Sequence, residues 1–278
     1  MIQIRIQSLH VLLRYSLSIV LSTIALLELG CQRQQAAGDS DAVDPGKLEA
    51  QVSFEKADVK LLFVGNSHTS AGNLPELVRE LVEAESSFGS CYVEAHTGGM
   101  FLADHRLNSE TMDAIKRPGW TAVILQAQKY STTGQYTYPT EAAEEMIELV
   151  QQTGGRVILF PEWRHLDHGE DEAERIQQLH ESIAKKTGAE VAPVGLAWDR
   201  ALQLELDFDL HAPDRNHAAI QGAYLTACVI TSKLLRENPI GWKVIERCDL
   251  SSAEAEALQQ AAWEVLDENA DSRIGRDE

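Results

Sequence analysis

Between residues 57 and 268, short apolar runs alternate with longer stretches whose apolar positions recur every three or four residues. The run Val59-Lys60-Leu61-Leu62-Phe63-Val64 is short and nearly continuous, so it reads as a buried strand. Further strands are expected at 91–95, 121–126, 156–160 and 190–194. Helical spacing runs through 74–84, 140–152, 173–186, 196–204 and 218–236. Asn73 and Pro75 suit the cap and first turn of the first helix. Ser251-Ser252-Ala253-Glu254 has the form of a capping box, opening a last helix through about residue 266.

Strands alternating with helices imply right-handed crossovers and a parallel sheet covered on both faces. The expectation is one α/β domain, a three-layer α/β/α sandwich with about five parallel strands in the flavodoxin-like order. Such a sheet gathers functional residues at the carboxyl ends of its strands. That rule selects the loops after Val64, Ala95, Leu125 and Phe160, and the segment entering the long helix near Ala218.

The first residues follow a different pattern. Arg5 and Arg14 precede an uncharged run from Tyr15 to Leu27, thirteen residues long. A membrane-spanning helix needs about 20, whereas a signal-peptide core is shorter. Gly30-Cys31 resembles the bacterial lipoprotein cleavage box, although Glu28 stands where that pattern favours an aliphatic residue. Residues 1–31 are therefore expected to be a signal peptide with Cys31 as the lipidation site. Residues 32–56, polar and carrying Pro45-Gly46, are expected to be a flexible linker. The protein would then be exported and held on a membrane, facing the periplasm or the cell exterior. Residues 269–278 read as an acidic tail.

Composition narrows the partners. The chain has 278 residues with 24 Lys+Arg against 43 Asp+Glu, a formal charge of −19. No basic stripe is present for counterion release, which argues against nucleic acid as a partner. The membrane is expected to be met only through the N-terminal anchor. Cys91, Cys228 and Cys248 have no metal-site spacing, and Cys91 and Cys228, set in apolar runs, suit small core positions.

Chemistry concentrates at the strand ends. Gly65-Asn66-Ser67 forms a turn straight after the first strand, able to lift a hydroxyl above the sheet; it is not a G-x-S-x-G elbow. Asp214 and His217 stand three apart before the long helix. The carboxylate could hold one imidazole nitrogen while the other faces the serine. Alone, Ser67 would be an ordinary turn residue and Asp214 an ordinary helix cap. Gly98-Gly99 allows a backbone N–H to approach a substrate oxygen, and Gln126 or Gln128 could add an amide donor.

In this order the segments resemble the SGNH hydrolases, also called GDSL-type esterases and lipases. Gly65-Asn66-Ser67 corresponds to block I in a GNS-type variant, Gly98 or Gly99 to the block II glycine, and Asp214-Arg215-Asn216-His217 to the Asp-x-x-His of block V. Gln126-Ala127-Gln128-Lys129 stands in place of the block III Gly-x-Asn-Asp, and Ala218 replaces the proline that commonly follows the histidine. The resemblance implies Ser67 as nucleophile, His217 as general base and acid, and Asp214 as its orienting partner. It implies an oxyanion hole from the Ser67 N–H, Gly98 or Gly99, and Gln128. The expected reaction is hydrolysis of a small-molecule or carbohydrate ester through an acyl-enzyme, with no metal or other cofactor.

Gln126, Trp163 and Arg164 are expected to line the substrate cleft. His165 and His168 lack the spacing of a helical zinc pair, and His68, beside the serine, suits packing better than chemistry. Two rival readings remain: a non-catalytic binding lipoprotein on the same fold, and an acyltransferase using the same triad.

Overall fold

The structure is a computed structural model that describes residues 52–274 apart from residue 88, with side chains described through residue 268. The expected signal peptide, Cys31 and nearly all of the linker lie outside these residues. Five strands, β1 (Val59–Val64), β2 (Cys91–His96), β3 (Ala122–Leu125), β4 (Arg156–Leu159) and β5 (Glu190–Val191), form one parallel sheet in the order β2-β1-β3-β4-β5. This is the order expected from the alternation of elements.

The register levels the strand ends. Val64 pairs with both His96 and Leu125, Leu125 with Leu159, and Leu159 with Val191. All five carboxyl-end loops therefore leave the sheet along one line, so side chains distant in sequence meet there.

Side-chain alternation along β1 explains why the sheet is buried on both faces. Val59, Leu61 and Phe63 enter one core with α2 (Leu74–Glu85), α7 (Val194–Ala201), α8 (Ile220–Leu235) and α9 (Ser252–Ile274). Leu62 and Val64 enter the other with α4 (Ser109–Lys116) and α5 (Glu141–Gln152), and with Ile183 of α6 (Glu172–Thr187). The α8 helix is apolar nearly all round and buried from Gly222 through Ser232, as a helix enclosed by neighbours must be. Gly222 is required there: a Cβ would lie 2.3 Å from the Leu210 carbonyl oxygen and 2.4 Å from the Trp198 ring.

Several boundaries differ from the sequence expectation. A four-residue helix α1 (Ser67–Ser70) follows the first turn, and α3 (Leu102–His105) and α4 occupy a segment where no element was expected. That segment has short, mixed-polarity runs with little period to read. The β5 strand is only two residues long because Pro193 and the start of α7 follow at once. The last helix continues through Ile274, into the stretch expected to be a tail. Cys91, Cys228 and Cys248 are buried free thiols; burial pushes Cys91 up to about 12 and Cys248 up to about 11.

Candidate active site

The turn after β1 carries Ser67. Asn66 caps α1 by accepting the His68 N–H on its side-chain oxygen at 3.0 Å. Its amide donates to the Met100 carbonyl at 3.0 Å, tying the turn to the loop after β2. Gly65 is dictated by space: a Cβ would stand 2.2 Å from Thr69 Oγ1 and 2.5 Å from Gln126 Oε1. Ser67 is exposed, and its N–H, like those of Gly98 and Gly99, has no partner among the described residues.

Ser67 Oγ lies 2.7 Å from His217 Nε2 although 150 residues separate them. His217 Nδ1 lies 2.5 Å from Asp214 Oδ2, and Asp214 Oδ1 accepts the backbone N–H of Asn216 at 3.0 Å and of His217 at 2.9 Å. A carboxylate can only accept, so Nδ1 carries the proton and Nε2 is left to accept from the serine hydroxyl. The bond from the His217 ring, followed by the two backbone bonds, holds the Asp214 carboxyl far below the usual carboxylate range. The three side chains thus form one continuous relay that opens to solvent at the sheet edge.

The loop holding Asp214 and His217 is fixed from several sides. It is closed by an antiparallel bridge between His211 and Ala218, with Ala212 N–H donating to the His217 carbonyl at 2.7 Å. Arg215 within it adopts a left-handed φ of 64°. The segment after β4 bolts it in place. Trp163 Nε1 donates to the Asn216 carbonyl at 2.8 Å, Leu166 N–H to the Arg215 carbonyl at 3.0 Å, and His211 Nε2 to the Arg164 carbonyl at 3.0 Å.

Three sequence expectations need correction. Gln128 is buried and its amide nitrogen donates at 3.0 Å to both the Lys129 and Pro139 carbonyls, so neither amide hydrogen is left for an oxyanion. Gln126 is fully buried rather than cleft-lining. Its Oε1 accepts the Asn66 N–H and the Thr69 hydroxyl, each at 2.9 Å, while its nitrogen donates to Glu162. Trp163 is buried, stacked on Trp198 at 4.1 Å between ring centroids, so it supports the loop instead of facing substrate. Arg164 is partly buried in an ion pair with Asp199 at 3.0 Å.

The expectation for His68 fits its surroundings. It is buried, with its ring 5.0 Å from that of Trp163 and 5.2 Å from that of His217, packing behind the relay. Two residues of the site had no sequence signal. Glu162 accepts from Gln126, and burial raises its carboxyl. His105, in the short helix α3, reaches the Gly65 carbonyl at 2.7 Å. Among the described residues no group of three or more His, Cys, Asp or Glu is arranged to hold a metal ion.

No protein-family profile and no curated protein matches the chain. Solved structures do match. A DUF4886 family protein from Bacteroides uniformis ATCC 8492 is similar with a TM-score of 0.62 at 16% identity, covering 75% of this chain and 94% of that one. A protein from Slackia heliotrinireducens, described as a candidate SGNH hydrolase, is similar with a TM-score of 0.51 at 22% identity, covering 63% of this chain and 97% of that one. Together with the strand order, these likenesses establish that the chain has the fold of the SGNH hydrolases.

Proposed function

We propose that this protein is a serine esterase whose nucleophile is Ser67. The observation that carries the reading is the relay from Ser67 Oγ to His217 Nε2 at 2.7 Å and from His217 Nδ1 to Asp214 at 2.5 Å. In the first half-reaction Ser67 Oγ attacks the ester carbonyl carbon and its proton passes to His217 Nε2. The C–O bond to the alcohol then breaks, and His217 returns the proton to the leaving oxygen. A water molecule repeats the sequence, releasing the acid and restoring Ser67. Asp214 keeps the ring in the working tautomer and stabilises the imidazolium as it forms. The free N–H groups of Ser67 and of Gly98 or Gly99 serve the oxyanion, each donor being worth about 3–4 kcal/mol in the transition state.

The alcohol half of the substrate is proposed to be a carbohydrate. Ser67 is exposed, which admits a bulky alcohol portion. At the same sheet edge, a cavity of about 290 Å³ in the loop after β3 is walled by Tyr130, Tyr136, Tyr138, Arg175 and Gln178. Aromatic faces beside fixed polar groups suit the apolar faces and hydroxyls of a sugar ring. Export and lipidation at Cys31 belong to the same proposal and rest on the N-terminal sequence; intact mass of the mature chain from a bacterial host tests them.

The test of the activity is steady-state hydrolysis of p-nitrophenyl acetate and of an acetylated xylo-oligosaccharide by the full chain and its Ser67→Ala variant. Turnover that depends on Ser67 supports the reading, and hydrolysis of the sugar ester alone fixes the alcohol class. Product analysis with an acceptor sugar separates transfer from hydrolysis. One observation favours the rival of a non-catalytic binding protein: the occupied amide of Gln128 leaves the hole without a side-chain donor. Absence of turnover by a folded chain would overturn the esterase reading and leave that rival to be tested by ligand binding.

A further inference from the structure

The peptide unit between Gly65 and Asn66 is held at both of its polar ends. Its N–H donates to Gln126 Oε1 at 2.9 Å, and its carbonyl accepts from His105 Nε2 at 2.7 Å. Ser67, with its unpartnered N–H, follows this peptide directly. The same imidazole also fills the space beneath the second glycine loop. A Cβ added at Gly99 would meet the His105 ring at 2.8 Å, on both Cδ2 and Nε2. One buried ring therefore sits between the two backbone segments that carry the free N–H groups.

The chemistry of the ring's partners fixes its tautomer. A carbonyl can only accept, so His105 Nε2 carries the proton. Nδ1 then accepts, and the Thr111 hydroxyl stands 3.4 Å away. Thr111 Oγ1 is in turn 3.1 Å from His96 Nδ1, and His96 Nε2 is 3.0 Å from Glu94, which pairs with Arg117. The chain of bonds runs from the rim of β2 inward to the turn beneath the serine. Burial lowers the His105 pKa, consistent with a neutral ring that keeps a single donor.

We propose that His105 is a positioning residue that sets the separation and aim of the Ser67 and Gly99 N–H groups, acting through the Gly65 carbonyl and the underside of Gly99. The proposal rests on the esterase reading for its consequence in catalysis, and on the geometry alone for its structural half. His105 does not touch substrate. Losing its donor frees the Gly65–Asn66 peptide to rotate, and losing its ring volume lets the Gly99 loop settle toward the sheet. Displacements of this order weaken catalysis by misaligning groups rather than by removing one.

The test uses the full chain with His105→Phe, which keeps the ring volume without the donor, and His105→Gln, whose amide can again donate to the Gly65 carbonyl. Hydrolysis of p-nitrophenyl acetate is expected to fall about 10- to 100-fold in kcat for His105→Phe with KM within about twofold, and to recover at least partly in His105→Gln. Hydrogen exchange at the Asn66 amide, which needs no turnover, is expected to quicken in His105→Phe while the β1 amides stay protected. In ¹⁵N spectra of the wild-type chain, His105 is expected as the Nε2–H tautomer, titrating below the ordinary histidine value. A folded His105→Phe chain with wild-type exchange at Asn66 overturns the proposal. So does wild-type kcat in that variant, or a His105→Gln chain as impaired as His105→Phe with an unchanged Tm. If the wild-type chain shows no turnover but its Asn66 amide responds as described, the esterase reading fails while the positioning of the turn by His105 stands.

Discussion

The two segments that build the candidate site are held by different means. The Ser67 turn leaves β1 without slack and is clamped by the buried side chains of Gln126 on one end of the Gly65–Asn66 peptide and His105 on the other, while Asn66 ties it across to Met100. The His217 loop lies 150 residues away and is held mainly through its own carbonyls, which accept from Trp163, from Leu166 and from Ala212. Ser67 is thus placed by side chains reaching its backbone. His217 is placed by a loop that already has its shape and needs only to be fastened. Damage to the first should change the aim of the neighbouring N–H groups, and damage to the second the distance between Ser67 and His217.

The largest expected effect removes the relay that joins the two segments. Ser67→Ala or His217→Ala should lower kcat/KM for an ester by at least about 10³- to 10⁴-fold with the fold intact by circular dichroism. A loss of less than tenfold in either would mean that the two segments do not work together. Next is the clamp on the turn. Gln126→Leu leaves the Asn66 N–H and the Thr69 hydroxyl without their acceptor and should cost about 2–3 kcal/mol in urea unfolding. Activity should fall further than this stability loss explains when both are measured under conditions where the chain is fully folded.

The fastening of the loop is expected to matter less. Trp163→Phe keeps the stack on Trp198 but leaves the Asn216 carbonyl without its indole donor, at a cost of about 1 kcal/mol and roughly a tenfold drop in kcat. Equal effects of Gln126→Leu and Trp163→Phe on kcat would erase the distinction between clamp and fastening. The smallest effect belongs to Arg215→Gly. The glycine relieves a left-handed φ of 64° but gives up the exposed Arg215–Asp167 pair, so Tm should change by no more than a few degrees.

What the sequence revealed divides along the same line. Strand order was readable because each βαβ unit carries its own periodicity, and Ser67, Asp214 and His217 could be nominated because Ser67 follows β1 on a tight turn while Asp214 and His217 share one short loop ahead of α8. The residues that hold those turns carried no comparable signal. Gln126 and Gln128 stand where an amide donor was expected, but which way an amide points depends on partners such as Glu162 and Pro139 that lie far along the chain. Trp163 leaves a strand end on the functional edge, and only its packing against Trp198 shows that it faces inward. His105 lies in a short helix with no period to read, and its role appears only once Gly65 and Gly99 are brought against its ring.

The most direct measurement is covalent labelling of the full chain by a fluorophosphonate, followed by intact mass and peptide mapping, beside Ser67→Ala and Asp214→Asn. An activated serine predicts one adduct on Ser67, no adduct in Ser67→Ala, and labelling slowed by several orders of magnitude in Asp214→Asn, where the imidazole is no longer held in its working tautomer. A folded wild-type chain that takes up no label, or labels at another residue, would contradict the account.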